Sequence, residues 1–288
     1  MKVICIFVLY KPSAELLGKA IKAIINQVDL VWISDNTPGG FKGIDTITEV
    51  YKSKLKYAMM NGNVGIAKAQ NAGIRYALDN DFDFIYFLDQ DSISPSGIVN
   101  GLLQQFIDLE NRGIKVGGVG AQPFNRDTGK IYEANVKKGK RVKDGIVEVS
   151  ELINSSSLFT KELFKSAGMM DESLFIDGVD HELCWRANHK AQYRFFKDTS
   201  LLFNHKQGEG DRTFLGITIR ITTPFRIYYQ YRNYFWLLRR NYVPAYWKVS
   251  NGIKYFCKCF YYPLFCKPRI DFFKRINKGI YDGIKLNN

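Results

Sequence analysis

Two hydrophobic periods alternate along the first half of this chain. Val3–Leu9 is an unbroken apolar run, which reads as a strand buried on both faces, and it stops at Tyr10-Lys11-Pro12. Leu16, Leu17, Ala20, Ile21, Ile24 and Ile25 then recur at helical spacing behind Ser13, a residue suited to cap a helix. Leu30–Ile33 is a second short strand, closed by Ser34-Asp35-Asn36 and the turn Thr37-Pro-Gly-Gly40. Lys56–Met60 reads as a third strand, followed by a helix through Ala67, Ala69, Ala72, Ile74 and Ala77. Phe84–Leu88 is a fourth, and Ser94-Pro95 opens a helix carrying Ile98, Leu102, Leu103, Phe106 and Ile107.

Strands alternating with helices at this spacing predict a mostly parallel sheet with right-handed crossovers and helices on both faces. The first, second and fourth strands each end in polar residues. Parallel strands place those ends on one edge of the sheet, so Tyr10, Asp35 and the pair Asp89/Asp91 are expected to converge where α/β folds bind ligands.

The pattern loosens after Val116–Ala121. Asn125–Gly145 is polar and rich in lysine and glycine, and reads as a hairpin or excursion. Leu158–Ser166 is expected to be a helix, Ser173–Asp177 a short run ending in acid, His181–Lys190 a helix, and Tyr193–Phe196 and Ser200–Asn204 two short strands.

Composition divides the chain differently. Residues 224–288 hold thirteen basic and two acidic residues, +11 of the formal net charge of +13, and nineteen of the forty-two aromatic residues. The segment Tyr228–Arg240 interleaves rings and cations. It reads either as a helical cap with a solvated basic face or as a surface for anionic lipid headgroups, with aromatics at the acyl boundary. Nucleic acid would tolerate this composition, but no recognisable module accompanies it and none is expected as a partner. The expected organisation is 1–223 as one α/β domain, with 1–121 binding a nucleotide and 122–223 completing the site, followed by 224–288 as a helical, basic-aromatic extension.

The five cysteines, Cys5, Cys184, Cys257, Cys259 and Cys266, are odd in number and lack zinc spacing, which suits a reducing compartment. Val3–Leu9 is too short for the apolar core of a signal peptide, and Ile253–Cys266 is too short and too charged to cross a bilayer.

Asp89-Gln90-Asp91 follows a buried strand. Two hard oxygen donors there suit Mg²⁺ or Mn²⁺ on a diphosphate, although an isolated Asp-x-Asp also reads as a solvated turn. Asn61-Gly62-Asn63-Val64-Gly65 leads into an alanine-rich helix, where small residues admit close backbone approach and the helix start favours phosphate; the bland alternative is a tight turn. Walker-type and dinucleotide glycine signatures are absent. In Asp177-Gly178-Val179-Asp180-His181-Glu182, a carboxylate beside a hydroxyl has the chemistry of a general base, against the alternative of acidic residues favoured in a first helical turn. Arg186, four residues after Glu182, makes an ordinary helix-surface pair available. His205 follows a strand-like run, where its imidazole could complete a metal site begun by Asp91, against the commoner alternative of a structural histidine.

Taken in order, these segments resemble family 2 glycosyltransferases of the GT-A fold, and within them bacterial rhamnosyltransferases that use nucleotide-activated L-rhamnose. The residues that carry the resemblance are Tyr10-Lys-Pro12, Ser34-Asp35-Asn36, Asn63-x-Gly65-x-Ala67-x-Ala69-x-Asn71-x-Gly73, Leu88-Asp-Gln-Asp-Ser92, Phe175-Ile-Asp177-x-Val-Asp180-x-Glu182-x-Cys-x-Arg186, His205-x-x-Gly208 and Tyr228-Tyr229-x-x-Arg232-Asn233, across about residues 1–235.

The resemblance implies that Asp35 meets the nucleotide base, Asp89 lies near the ribose, Asp91 binds Mg²⁺ or Mn²⁺ with support from His205, and Asp180 is the catalytic base. It further implies substrate contacts for Tyr10, Asn63, Gly65, Gln90, Glu182, Arg186 and Arg232, with Gln90 and Ser92 narrowing the donor towards rhamnose. Val179 stands where the wider family usually has an acid. The implied partners are a nucleotide-sugar donor, a lipid-linked or oligosaccharide acceptor and an anionic membrane surface, which corresponds to a cytoplasmic enzyme held peripherally on the inner face of the plasma membrane. The readings that compete with this one are the same fold with a galactofuranose or hexose donor, and a catalytically silent binding or adaptor protein.

Overall fold

A computed structural model of the chain describes residues 1–125, 129, 131, 139–205, 211–214 and 217–285, with the side chains of 205 and 211–220 outside that description. Its centre is a nine-stranded sheet in the order β3-β2-β1-β4-β8-β5-β9-β7-β6. The first four positions are the expected parallel sheet: β1 (Val3–Leu9) pairs with β2 (Leu30–Asp35) and β4 (Phe84–Asp89), and β2 pairs with β3 (Leu55–Met59). The remainder is mixed. β8 (Ser157–Thr160) runs antiparallel between β4 and β5 (Val116–Asn125). β9 (Arg194–His205) is parallel to β5, and β7 (Ile146–Val149) and β6 (Lys140–Lys143) complete the edge in antiparallel pairing.

Alternation along β1 shows why both faces are covered. Val3, Cys5, Phe7 and Leu9 point into one core with α1 (Ala14–Ile24) and α4 (Ile98–Asn111), while Ile4 and Ile6 point into the other. That second core holds α3 (Ile66–Asp79), α5 (Lys161–Ala167) and α6 (Val179–Ala191). Gly73 lets α3 lie close on the sheet, since a Cβ there would meet Ile6 and Trp32 at 2.8 Å.

Three sequence expectations need correction. Leu158–Ser166 is not one helix: its first residues form β8, because an apolar run this short satisfies a buried strand as well as a helix. The two short strands after residue 193 are one strand, β9, whose register with β5 shifts between Ala121 and Gln122. The helix expected from Ser94-Pro95 begins at Ile98, behind Gly97 in a left-handed conformation. A short helix that the periodicity had not suggested, α2 (Ile44–Val50), lies between β2 and β3.

The basic-aromatic segment forms α7 (Pro224–Leu238), α8 (Ala245–Phe265) and α9 (Arg269–Lys285). α7 packs two ways. Leu237, with Val243 and Trp247 beyond it, enters the core shared with α5 and α6, while Ile227 and Tyr231 join Tyr261, Tyr262, Phe272 and Ile276 in a third core. Gly279 and Gly283 allow α9 to approach α7 closely: a Cβ at either would meet α7 backbone or Cβ atoms at 2.5–3.0 Å. The composition boundary at 223/224 thus falls at the first turn of a helix that packs against the sheet domain.

Candidate active site

Register alone brings the expected carboxylates together. Leu9 pairs with Asp35 and Val8 with Asp89, so Tyr10, Asp35 and Asp89-Gln90-Asp91 leave three adjacent parallel strands on one edge. What their side chains do there differs from residue to residue.

Asp35 is fully buried. Its Oδ1 accepts from the Thr37 amide at 2.8 Å, and its Oδ2 accepts from the Phe41 amide at 2.6 Å and the Tyr57 hydroxyl at 2.8 Å. Burial, and then the bond to this carboxylate, push the Tyr57 phenol up to about 12. Asp35 therefore holds the loop after β2. Gln90 is likewise engaged: its Oε1 accepts from the Tyr10 amide at 2.8 Å and its Nε2 donates to the Tyr10 carbonyl at 3.2 Å, so it ties the ends of β1 and β4 together. The Tyr10 side chain is exposed at the mouth of this edge.

Asp89 is half-buried and its amide donates to Ser155 Oγ at 3.2 Å. Asp91 is half-exposed and makes no hydrogen bond or ion pair with any described residue. His205 ends β9, and an isolated bridge joins its neighbour Asn204 to Ile93, two residues after Asp91. The backbone thus brings the Asp91 and His205 segments side by side, while the His205 side chain and Gly208 lie outside the described residues. Among the described residues no group of three His, Cys, Asp or Glu forms a metal cage. The donor set nevertheless fits a hard cation, because Mg²⁺ commonly uses one or two carboxylates and takes its remaining oxygens from water and substrate phosphates. Asp91, with an unpartnered carboxylate, is the residue that meets this need.

The start of α3 is filled from within. The amides of Ile66 and Ala67 donate to the carbonyl of Phe175 at 2.7 and 3.4 Å, which occupies two of the N-terminal donors expected to receive phosphate. Gly65, at φ +87°, is required by the same contact: a Cβ there would lie 2.6 Å from the Phe175 ring and 2.8 Å from its carbonyl oxygen. Asn63 is exposed, and its Oδ1 accepts from the Gly65 amide at 3.1 Å. Gly65 and Asn63 therefore shape a turn that packs on the 173–178 segment.

That segment is clamped from α7. Phe175 adopts φ +64°, ψ −63°, and the Ile176 amide donates to the Leu174 carbonyl at 2.7 Å, which is a γ-turn of the strained hand. Asn233 Nδ2 donates to the carbonyls of Leu174, Ile176 and Asp177 at 2.9, 2.7 and 2.9 Å. Arg232 Nη2 donates to the carbonyls of Ser173 and Leu174 at 2.7 and 3.0 Å, and its guanidinium lies 4.0 Å from the Trp236 ring centroid and 4.6 Å from that of Tyr229. Tyr229 in turn stacks on Phe175 with centroids 4.6 Å apart. Arg232 acts here as a backbone clamp.

Asp180 follows in the first turn of α6. It is half-buried, its Oδ1 accepts from the His181 amide at 2.9 Å, and its Oδ2 takes no hydrogen bond from a described residue. A carboxylate so placed has an oxygen to offer an acceptor hydroxyl.

Glu182 and Arg186 do not form the expected surface pair. Glu182 is fully buried, and its oxygens accept from Arg186 Nε at 2.8 Å, Arg186 Nη2 at 3.0 Å and the Tyr242 hydroxyl at 2.7 Å, while Arg240 Nη1 forms an ion pair with it at 3.0 Å. Arg186 also donates to the carbonyls of Ala167, Gly168 and Met169. This network joins α5, α6 and the end of α7, and leaves neither residue facing a substrate. Helical spacing showed the pair but not its burial, which comes from elements distant in sequence.

Arg226 is a charged group beside these carboxylates that sequence reasoning missed. It reaches from the first turn of α7 to form a two-pronged ion pair with Asp177, its Nε lying 3.2 Å from Asp177 Oδ2. Burial works to lower its pKa, yet the net shift is upward, because Asp177 at contact distance, and Asp89 and Asp180 farther away, outweigh it. One guanidinium therefore feels the carboxylates of β4, the γ-turn and α6 together. The only sequence signal was its place at the head of the basic-aromatic segment.

Comparison with known proteins agrees with this architecture. The family model described as glycosyl transferase family 2 matches residues 4–168. The dTDP-rhamnosyl transferase RfbF of Shigella flexneri is 33% identical over 289 residues, spanning 97% of this chain and 94% of that protein. Among solved structures, S. aureus TarS 1–349 in complex with UDP-GlcNAc superposes with a TM-score of 0.61 at 15% identity, covering 99% of this chain and 81% of the other. GalNAc-T7 with UDP, GalNAc and Mn²⁺ gives 0.60 at 13% identity over 91% of this chain and 57% of that one. At such identities the two structures speak to the fold alone. This chain spans only 40% of a longer TarS structure.

Proposed function

The chain belongs to glycosyltransferase family 2, within its rhamnosyltransferases, and from that premise we propose that it transfers L-rhamnose from dTDP-rhamnose, with inversion, to a hydroxyl of a lipid-linked glycan in cell-surface polysaccharide assembly. The observation that supports the reading is Arg226, which pairs with Asp177 and lies within electrostatic reach of Asp89 at the edge of β4 and of Asp180 at the start of α6. The family and its rhamnosyltransferase relative support the donor; the Asp91 carboxylate and the second oxygen of Asp180, which take no partner among the described residues, support the chemistry.

In this mechanism Asp180 removes the proton from the acceptor hydroxyl as its oxygen bonds to the anomeric carbon, and the bond from that carbon to the diphosphate oxygen breaks on the opposite face. The leaving nucleoside diphosphate gains negative charge. Arg226 supplies positive charge near it, and the strained 175–178 segment, clamped by Asn233, holds Asp180 in place. A divalent cation held by Asp91, with His205 from the adjacent strand end, would supply Lewis-acid stabilisation of the diphosphate.

The peripheral membrane position is proposed on two features. α8 exposes Val249, Ile253, Phe256, Phe260 and Leu264 in a row at three- and four-residue intervals, and the segment around it is strongly basic. Among the described residues, no helix is long and apolar enough to cross a membrane.

A donor screen tests the proposal. With Mg²⁺ or Mn²⁺ and a lipid-linked acceptor, dTDP-rhamnose should be consumed with release of dTDP. Turnover with a galactofuranose or hexose donor and none with dTDP-rhamnose would reassign the donor. Asp180→Asn should abolish transfer while nucleotide binding persists; equal loss of both would make Asp180 a structural residue.

A further inference from the structure

A cavity of about 170 Å³ lies between the start of α6, the inward side of α7 and the inward side of α8. Its wall includes Gly178 and His181, which flank Asp180, but none of Asp35, Asp89 or Asp91. By its lining it is a second space, beside the Asp180 segment and distinct from the carboxylate edge of β4. We infer that this cavity is the acceptor's phosphate-reading subsite, and that it takes the glycosyl diphosphate end of a lipid-anchored acceptor. The inference rests on the transferase reading above and adds to it where the acceptor sits and which chemistry selects it.

Two properties of the wall, its cations and its rings, and one of the helix behind it carry this. Lys254 and Lys258, one helical turn apart on α8, both line the cavity, as does His181. The one carboxylate in the wall, Asp177, is already paired with Arg226, so the local field favours an anion. Lys258 is held towards the cavity: its Nζ lies 3.3 Å from Gln230 Oε1 and 5.5 Å from the Tyr255 ring centroid. Beside these cations stand the rings of Tyr234, Trp247 and Tyr255, a surface suited to a sugar ring.

The third property belongs to the other side of the same helix. A period of 3.6 residues places Val249, Ile253, Phe256 and Phe260 roughly opposite Trp247, Asn251, Tyr255 and Lys258. Those four apolar side chains are 57–68% exposed. α8 thus turns lysines and rings to the cavity and hydrocarbon to the outside. A free oligosaccharide needs neither the lysines nor the hydrocarbon face. A glycan on a lipid diphosphate needs both, with its phosphates at the depth of the headgroups where α8 would lie.

The test uses the full chain and tryptophan fluorescence, since Trp247 lines the cavity. Farnesyl diphosphate, farnesol, inorganic pyrophosphate and dTDP are titrated separately. Wild type should bind farnesyl diphosphate at least tenfold more tightly than farnesol or pyrophosphate. Lys254→Gln with Lys258→Gln should weaken it tenfold or more, the corresponding double arginine variant should retain it, and dTDP binding should stay within twofold in all three proteins. Farnesyl diphosphate binding that survives the glutamine substitutions, or that either farnesol or pyrophosphate matches, overturns the inference. Wild type that binds farnesyl diphosphate through the lysines but does not bind dTDP would instead sink the nucleotide-sugar reading and leave the subsite standing.

Discussion

Removing the amide of Asn233 should damage the site from outside the sheet domain. Asn233 is 2% exposed, and its Nδ2 serves the carbonyls of Leu174, Ile176 and Asp177. In Asn233→Ala the Leu174 carbonyl keeps Arg232 Nη2 at 3.0 Å and the Ile176 amide at 2.7 Å, so the loss falls on the Ile176 and Asp177 carbonyls and on the half-exposed Arg232 guanidinium, which gives up its bonds to Asn233 Oδ1. An unsatisfied buried acceptor costs about 1–3 kcal/mol, and with two carbonyls in half-buried residues the total is about 2–4 kcal/mol. For a chain of this size that corresponds to a fall in melting temperature of roughly 5–10 °C. The same turn holds Phe175 in a strained conformation, which relaxes once the clamp is gone, and it leads through Gly178 into Asp180. Displacement of a reacting group by about 1 Å costs on the order of a hundredfold in rate. Differential scanning fluorimetry and a dTDP-release assay should show both effects, with dTDP affinity changed less than threefold, because Asn233 touches nothing on the β1-β2-β4 edge. A melting temperature within 1 °C of wild type with unchanged turnover refutes the clamp. Parallel loss of dTDP binding and rate refutes its confinement to the Asp180 side.

Other expectations follow from single contacts. Gly65→Ala places a Cβ 2.6 Å from the Phe175 ring at φ +87°, so it should destabilise the protein by about 1–3 kcal/mol and lower transfer, read by denaturant unfolding and turnover. Asp91→Asn keeps the shape but removes the unpartnered charge; it should weaken Mn²⁺ binding, measured by electron paramagnetic resonance in the presence of dTDP, and lower turnover at least a hundredfold, and unchanged Mn²⁺ binding would remove Asp91 from the metal site. Asp171 carries an acid-stability prediction. Burial acts to raise its pKa, but the Ser173 hydrogen bonds and Arg240 outweigh it and hold the carboxyl below its ordinary 3.8. A depressed folded pKa means that the clasp to Arg240 contributes fully above about pH 4 and is lost as pH falls through the folded value. Asp171→Asn should therefore be less stable than wild type at neutral pH and show a shallower loss of stability on acidification, and parallel curves for the two proteins would contradict this.

Much of the sheet was legible because local pattern and tertiary role coincide there. Val3–Leu9 and Phe84–Leu88 are buried on both faces, so their continuous apolar runs could be little else. The convergence of Tyr10, Asp35 and Asp89 needed only the polarity of parallel strands. β8 was misread because four residues, of which only Leu158 and Phe159 are apolar, carry no distinguishing period, and their strand state comes from insertion between β4 and β5, separated in sequence by tens of residues. The motif residues were found but not their occupations. Asp35, Gln90, Gly65, Glu182, Arg186 and Arg232 all build the frame, because each meets a partner distant in the chain or a backbone group whose direction no spacing encodes.

By itself, the sequence determined the strand-and-helix order of the first half, the sheet edge at which the carboxylates gather and the family to which their ordered set belongs. Those features depend on side-chain period, strand direction and residue type, all of which are local. Only the tertiary structure decided which polar groups are left for chemistry. Asp91 and an oxygen of Asp180 take no partner among the described residues, while two of the donors at the start of α3 are consumed by Phe175. It also decided that α7, marked by composition as part of a separate tail, reaches into the site through Arg226 and Asn233. Hydrogen-bond saturation and long-range packing make that choice, and both are properties of the folded chain.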